Sequence, residues 1–103
     1  MAFMTTPLGR AVPLGEWKEY GVDQVLHILY DFARNPINDG TLVFSLTSIC
    51  NATRLDIPAA IEVTTELIAR GLAEQPTSGS YRITQQGIHV VNAALVGGRV
   101  EQW

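Results

Sequence analysis

From Val22 the apolar residues of this chain recur at the spacing of an amphipathic helix. Val22, Val25, Leu26, Leu29, Phe32 and Ala33 share one stripe, while Asp23, Gln24, His27, Asp31 and Arg34 lie opposite. Pro36 ends this helix, because proline disfavours helical geometry at Asn35 and cannot donate the next backbone bond. The polar segment 35–40 reads as a loop. Residues 41–44, Thr-Leu-Val-Phe, have the chemistry of a short edge strand.

A shorter helix follows, with Ser45 or Thr47 able to cap it and Ile49 and Cys50 facing inward. After a turn at Arg54–Leu55, Asp56 caps a third helix that has Pro58 in its first turn. At about 100° per residue, Ile57, Ala60, Ile61, Thr64, Leu67 and Ile68 take the inner face of that helix. Ala59, Glu62, Val63, Glu66 and Ala69 then point outward. Gly71 is placed to take the left-handed conformation that closes it. Leu72 and Ala73 open a hairpin whose loop, 75–80, is rich in turn formers, and Tyr81-Arg82-Ile83 returns as the second strand. Thr84 caps a last helix in which Ile88, Val91 and Leu95 form one stripe and Val90 and Ala94 a second apolar edge. His89 and Asn92 are its polar positions, and Gly97-Gly98 stop it.

Ahead of these elements, Pro7, Gly9, Pro13 and Gly15 break any helix or strand period. Phe3, Leu8, Val12, Leu14, Trp17 and Tyr20 nevertheless supply more large apolar groups than a disordered tail carries. Residues 1–20 therefore read as an extended arm that docks on the domain or on a second subunit. Residues 21–97 read as one domain and 98–103 as a short tail. The last helix has more apolar surface than docking on one side requires, which predicts a homodimer contact through Trp17, Val90, Val91, Ala94 and Leu95.

Composition narrows the function. The 103 residues suffice for one hydrophobic core. Seven Lys and Arg against ten Asp and Glu leave a formal charge of −3, the opposite of what a non-specific nucleic-acid binder needs for phosphate contacts. A single cysteine, Cys50, excludes an intrachain disulfide and favours the cytoplasm. No apolar run approaches the roughly 18 residues of a membrane span, and the N-terminus lacks the pattern of a signal peptide.

The run from Leu46 to Gly87, with Gly71-Leu72, Glu74, Tyr81, Ile83, Thr84 and Gly87 at its turns, resembles the winged helix-turn-helix domains of small prokaryotic transcription regulators of the MarR-like and PadR-like groups. The match covers about forty residues and points to a superfamily, because those positions serve packing and turn geometry. The fold it implies is mainly α with a small β-hairpin, in the order α, β, α, α, β, wing, β, α. It also implies that the outward side of the third helix meets base edges while the hairpin touches phosphate or the minor groove. On this chain the contact positions become Arg54, Ala59, Glu62, Val63, Thr65, Glu66, Ser78, Ser80 and Arg82. Two of the reading positions are carboxylates, which accept from cytosine but are repelled by phosphate, and the hairpin loop holds no Lys or Arg.

Other chemistry is thinly represented. Asp23, His27 and Asp31 at four-residue spacing could share a metal ion, but a solvated face with His–carboxylate pairs is the simpler expectation, and no metal or other cofactor is predicted. Cys50 has only Arg54 as a charged neighbour and reads as a packed thiol rather than a redox sensor. Without a nucleophile elbow, phosphate-cradling glycine loop or HExxH, no enzymatic activity is expected. Arg54 is the best candidate for a phosphate contact, unless it screens Asp56 as Arg70 would screen Glu66 or Glu74. Two functions follow: a dimeric reader of double-stranded DNA, favoured by the usual role of the architecture, or a module that binds a protein through an acidic third helix, favoured by the charge.

Overall fold

The computed structural model describes residues 2–34 and 43–97, with the side chains of 96 and 97 left aside. The loop expected at 35–40, the strand positions Thr41 and Leu42, and the tail 98–103 lie outside the described residues.

Among the described residues, four helices and two small antiparallel sheets make a mixed α/β fold. In chain order these are β1 (Phe3–Thr5), β2 (Ala11–Pro13), α1 (Trp17–Arg34), β3 (Phe44–Ser45), α2 (Leu46–Thr53), α3 (Ile57–Ala69), β4 (Ala73–Thr77), β5 (Ser80–Ile83) and α4 (Gln85–Gly97). The second sheet has the order β3-β5-β4, with Phe44 opposite Tyr81 and Ala73 opposite Ile83. Among the described residues no helix is long and apolar enough to cross a membrane.

The helix boundaries follow from local chemistry. Ser45 Oγ accepts from the Ser48 N–H at 3.1 Å, which selects Ser45 over Thr47 as the cap of α2. Asp56 Oδ1 accepts from the Ala59 N–H at 2.9 Å and starts α3. Gly71 has φ +74° and ends it. Thr84 joins two elements: its hydroxyl donates to the Gly71 carbonyl at 2.6 Å and accepts from the Gly87 N–H at 3.1 Å.

The core lies between α1, α3, α4 and the β3-β5-β4 sheet. Val25, Ile49, Val63, Leu67 and Val91 are fully buried at its centre. Tyr30 on α1 donates to Asn92 on α4, which fixes how the last helix sits.

The N-terminal segment departs from the extended arm expected of it. It forms a hairpin, because the period breakers fall where a hairpin tolerates them: Gly9, at φ +82°, lies in the turn, and Pro13 ends β2. The hairpin is latched to α1. Asp23, 4% exposed, takes Arg10 Nε and Nη2 at 2.9 Å each and the Thr6 hydroxyl at 2.6 Å. Asp23 therefore belongs to a buried polar junction and not to the solvated face of α1, since the hairpin folds over it. The same contacts commit both oxygens of that carboxylate to Arg10 and Thr6. His27 Nδ1 sits 3.4 Å from Asp31 alone.

Helix α1 also begins at Trp17, five positions earlier than the apolar stripe suggested. Its first turn is closed by the Tyr20 N–H donating to the Glu16 carbonyl at 3.1 Å. Further along, a Cβ at Gly21 would lie 3.0 Å from Val63 Cγ2, so glycine lets α1 and α3 approach closely. In the second hairpin, strand β4 runs through Gln75, Pro76 and Thr77, leaving only Ser78 and Gly79 between the strands. Pro76 is accommodated because the ladder is irregular between Glu74 and Thr77.

Candidate interaction face on helix α3

Helix α3 presents a different face from the one its apolar pattern suggested. Its buried residues are Ala60, Val63, Thr64 and Leu67, while Ile57, Ile61 and Ile68 are 59%, 45% and 38% exposed. The buried arc is thus rotated by roughly 50°, about half a residue step, toward Val63. Val63 cannot read DNA or touch a partner, because it fills the gap left by Gly21. The Thr64 hydroxyl is satisfied within the helix, donating to the carbonyls of Ala60 at 2.9 Å and Ile61 at 3.1 Å, so its burial costs little.

The outward arc that results is mostly uncharged. Ile57, Ile61 and Ile68 run along one flank, Thr65 and Ala69 sit between, and Glu62 is the exposed carboxylate of the arc. Ala59 is half-buried at the other edge. Glu66 lies at the border with α1 and is already engaged: Arg70 Nε reaches it at 2.8 Å and Lys18 Nζ at 3.7 Å. The bonds from Arg70 hold the Glu66 carboxyl below the usual carboxylate range. The acidic face expected on this helix therefore reduces to Glu62.

The cations that phosphate contacts would need are also committed. Arg70 bonds Glu66 and Glu19, Arg10 bonds Asp23 and Glu19, and Arg82 bonds Glu74 at 2.8 Å on the hairpin. Arg34 lies over the Tyr30 ring at 5.2 Å from its centroid. Arg54 differs. It is exposed, has φ +63° in the turn between α2 and α3, and pairs with no carboxylate among the described residues. The Arg54–Asp56 screening pair considered from sequence does not form. Ser78 is exposed at the tip of the second hairpin, whereas Ser80 is half-buried and pairs with Ser45 of β3.

Of the residues expected at a dimer contact, Val91 is wholly buried on the inner side of α4 and is not available. Trp17, Val90 and Leu95 are 45%, 39% and 38% exposed, and Ala94 is half-buried. Among the described residues no group of three or more His, Cys, Asp or Glu side chains is placed to hold a metal ion. Cys50 is half-buried against the core. A shallow cleft between the end of α1 and the start of α4 is lined in part by Glu74, Arg82, Thr84 and Gln85, and its cation is the one already paired.

Sequence reasoning missed Ile57, Ile61 and Ile68 as surface residues. Gly21 was the available signal, since a glycine within a helix marks where a neighbouring helix comes close. Comparison of the chain with protein-family models, with curated proteins and with solved structures found no match.

Proposed function

We propose that this chain is a cytoplasmic winged-helix module that binds a protein partner through the outward arc of α3. The order of α1, β3, α2, α3, the β4–β5 hairpin and α4 supports the winged-helix reading, as do the capped turn between α2 and α3 and the third strand added by β3. In that architecture α3 is the helix a ligand meets.

The observation that carries the choice of ligand is the exposure of Ile57, Ile61 and Ile68 on that helix. Aliphatic side chains gain nothing from a phosphate backbone and much from an apolar counterpart, at about 25 cal/mol per Å² of area removed from water. A helix whose apolar stripe recurs at i, i+4 and i+11 is suited to lie against a partner's groove or helix. The commitment of Arg10, Arg70 and Arg82 to carboxylates points the same way.

DNA reading keeps one observation in its favour, the exposed and uncompensated Arg54 at the α2–α3 turn. A gel-shift against random duplex pools at about 50 mM salt, where phosphate contacts are least screened, separates the readings. The protein-partner reading expects no enriched sequence. An enriched sequence whose binding is lost in Arg54→Ala overturns it. Ile61→Glu, which changes only the exposed arc, should keep the fold and abolish binding to the partner.

A further inference from the structure

The N-terminal hairpin carries an open strand edge whose geometry is complementary to itself. Leu14 N–H donates to the Ala2 carbonyl at 3.1 Å and Thr6 N–H to the Arg10 carbonyl at 2.8 Å. In the antiparallel register of Phe3 with Pro13, Met4 with Val12 and Thr5 with Ala11, bonded pairs alternate with non-bonded ones. The backbone groups of Phe3 and Thr5 on β1, and of Ala11 and Pro13 on β2, therefore point away from the hairpin. The two edges are not equivalent. Pro13 has no N–H and blunts the β2 edge, a familiar protection against strand addition. On β1 both Phe3 and Thr5 keep donor and acceptor, and among the described residues neither backbone bonds elsewhere.

An exposed aromatic ring lies on the same strand. Phe3 is 55% exposed on the outer face of the hairpin, opposite Pro13. Met4 and Val12, on the other face, are turned toward the body of the protein.

We propose that β1 pairs antiparallel with β1 of a second copy about a twofold axis at Met4, joining the two hairpins into one continuous sheet. In that register Phe3 exchanges its N–H and C=O with Thr5 of the second copy, and Thr5 with Phe3, so every outward group of β1 finds a partner. The two Phe3 rings fall on the same face as diagonal neighbours, within reach of each other. A large aromatic side chain presents roughly 150–250 Å², so the observed exposure leaves about 100 Å² on each Phe3. The Phe3 pair and the two three-residue strand edges stay well below the ~1,200 Å² lower bound of specific interfaces, which sets the expectation of a weak, concentration-dependent dimer. It is a different contact from the one expected from sequence, of which Val91 is buried in the core while Trp17, Val90 and Leu95 stay exposed. It is independent of the α3 reading.

Sedimentation equilibrium of the full chain, from micromolar to several hundred micromolar, tests the proposal. The wild type should pass from monomer to dimer. Thr5→Pro, which removes the outward N–H on both copies, should raise the dissociation constant roughly tenfold or more with its circular dichroism unchanged. Phe3→Asp, a change on the exposed face, should do the same by a separate route. Met4→Cys should form a disulfide-linked dimer on mild oxidation, because the axis brings a non-bonded cross-strand pair to disulfide distance, and Cys50 in the wild type provides the control. A monomer at every concentration overturns the proposal. So does a dimer that survives Thr5→Pro and Phe3→Asp but is lost in Leu95→Asp, which returns the contact to α4.

Discussion

Arg70 Nη2 donates to Glu19 Oε2 at 2.7 Å, which ties the C-terminal end of α3 to the first turn of α1. The bond belongs to an alternating chain of charges, Asp23–Arg10–Glu19–Arg70–Glu66–Lys18, that links the N-terminal hairpin, α1 and α3. Arg70 and Glu19 lie 51 positions apart in sequence. The chain of charges connects α3 to α1 and the hairpin, and it engages Glu66 with Arg70 and Lys18.

The pH dependence of stability should report this chain. Hydrogen bonds from Arg70 hold both the Glu19 and Glu66 carboxyls below their ordinary values. A carboxylate depressed in the folded state stabilises fully above its unfolded value of about 4.3, and that contribution is lost as pH falls through the folded value. Wild-type melting temperature should therefore drop more steeply between about pH 5 and pH 3 than that of Arg70→Met. Parallel curves would show that Arg70 contributes nothing through these carboxylates. Both glutamates are partly exposed, so the effect should also shrink in high salt.

Arg10 should matter more than its exposure suggests. Its side chain is 45% accessible, yet it neutralises an Asp23 side chain that is only 6% accessible. Arg10→Met leaves that carboxylate with the Thr6 hydroxyl alone and should cost about 1–3 kcal/mol in urea unfolding. A double-mutant cycle with Asp23→Asn should show coupling above about 0.5 kcal/mol. Additive effects would mean that the hairpin is held by apolar packing instead.

The orientation of α3 makes two neighbouring aliphatic residues behave differently. Val63→Ala removes packing from a fully buried site against Gly21 and should cost about 1–3 kcal/mol. Ile61→Thr alters a residue 45% exposed and should stay within about 0.5 kcal/mol of wild type. The reverse ranking in chemical denaturation would place the helix in the orientation its sequence pattern suggested.

Two glycines at the start of α4 and the end of α3 should also separate. At Gly71, with φ +74°, a Cβ would meet the flexible end of Gln86 at 3.2 Å, so Gly71→Ala carries mainly the left-handed penalty of about 1 kcal/mol. At Gly87 a Cβ would lie 2.2 Å from the Leu72 carbonyl oxygen and 2.7 Å from Ile83 Cγ1, contacts that backbone cannot relieve. Gly87→Ala should cost about 2 kcal/mol or more, read as a larger loss of melting temperature than Gly71→Ala. Equal losses would mean that α4 can shift away from the hairpin.

The amino-acid sequence by itself determined the order of the elements from α2 to α4 and the helix boundaries among them, but not the extent of β4 and β5. Ser45, Asp56, Gly71 and Thr84 act on backbone groups within a few residues of themselves, so their roles are legible without knowing what lies opposite. Which side of α3 faces the core was not legible, because Ala60, Thr64 and Leu67 belong equally to an arc containing Ile57, Ile61 and Ile68 and to one containing Val63. Only the approach of α1 at Gly21 chose between them. Asp23 looked solvated for a similar reason, since its partners Arg10 and Thr6 reach it only once the hairpin folds back. Val91 looked spare until α4 docked. Local hydrogen bonding is written in neighbouring residues, whereas burial depends on which distant surfaces meet, and it was burial that decided the face this protein leaves open.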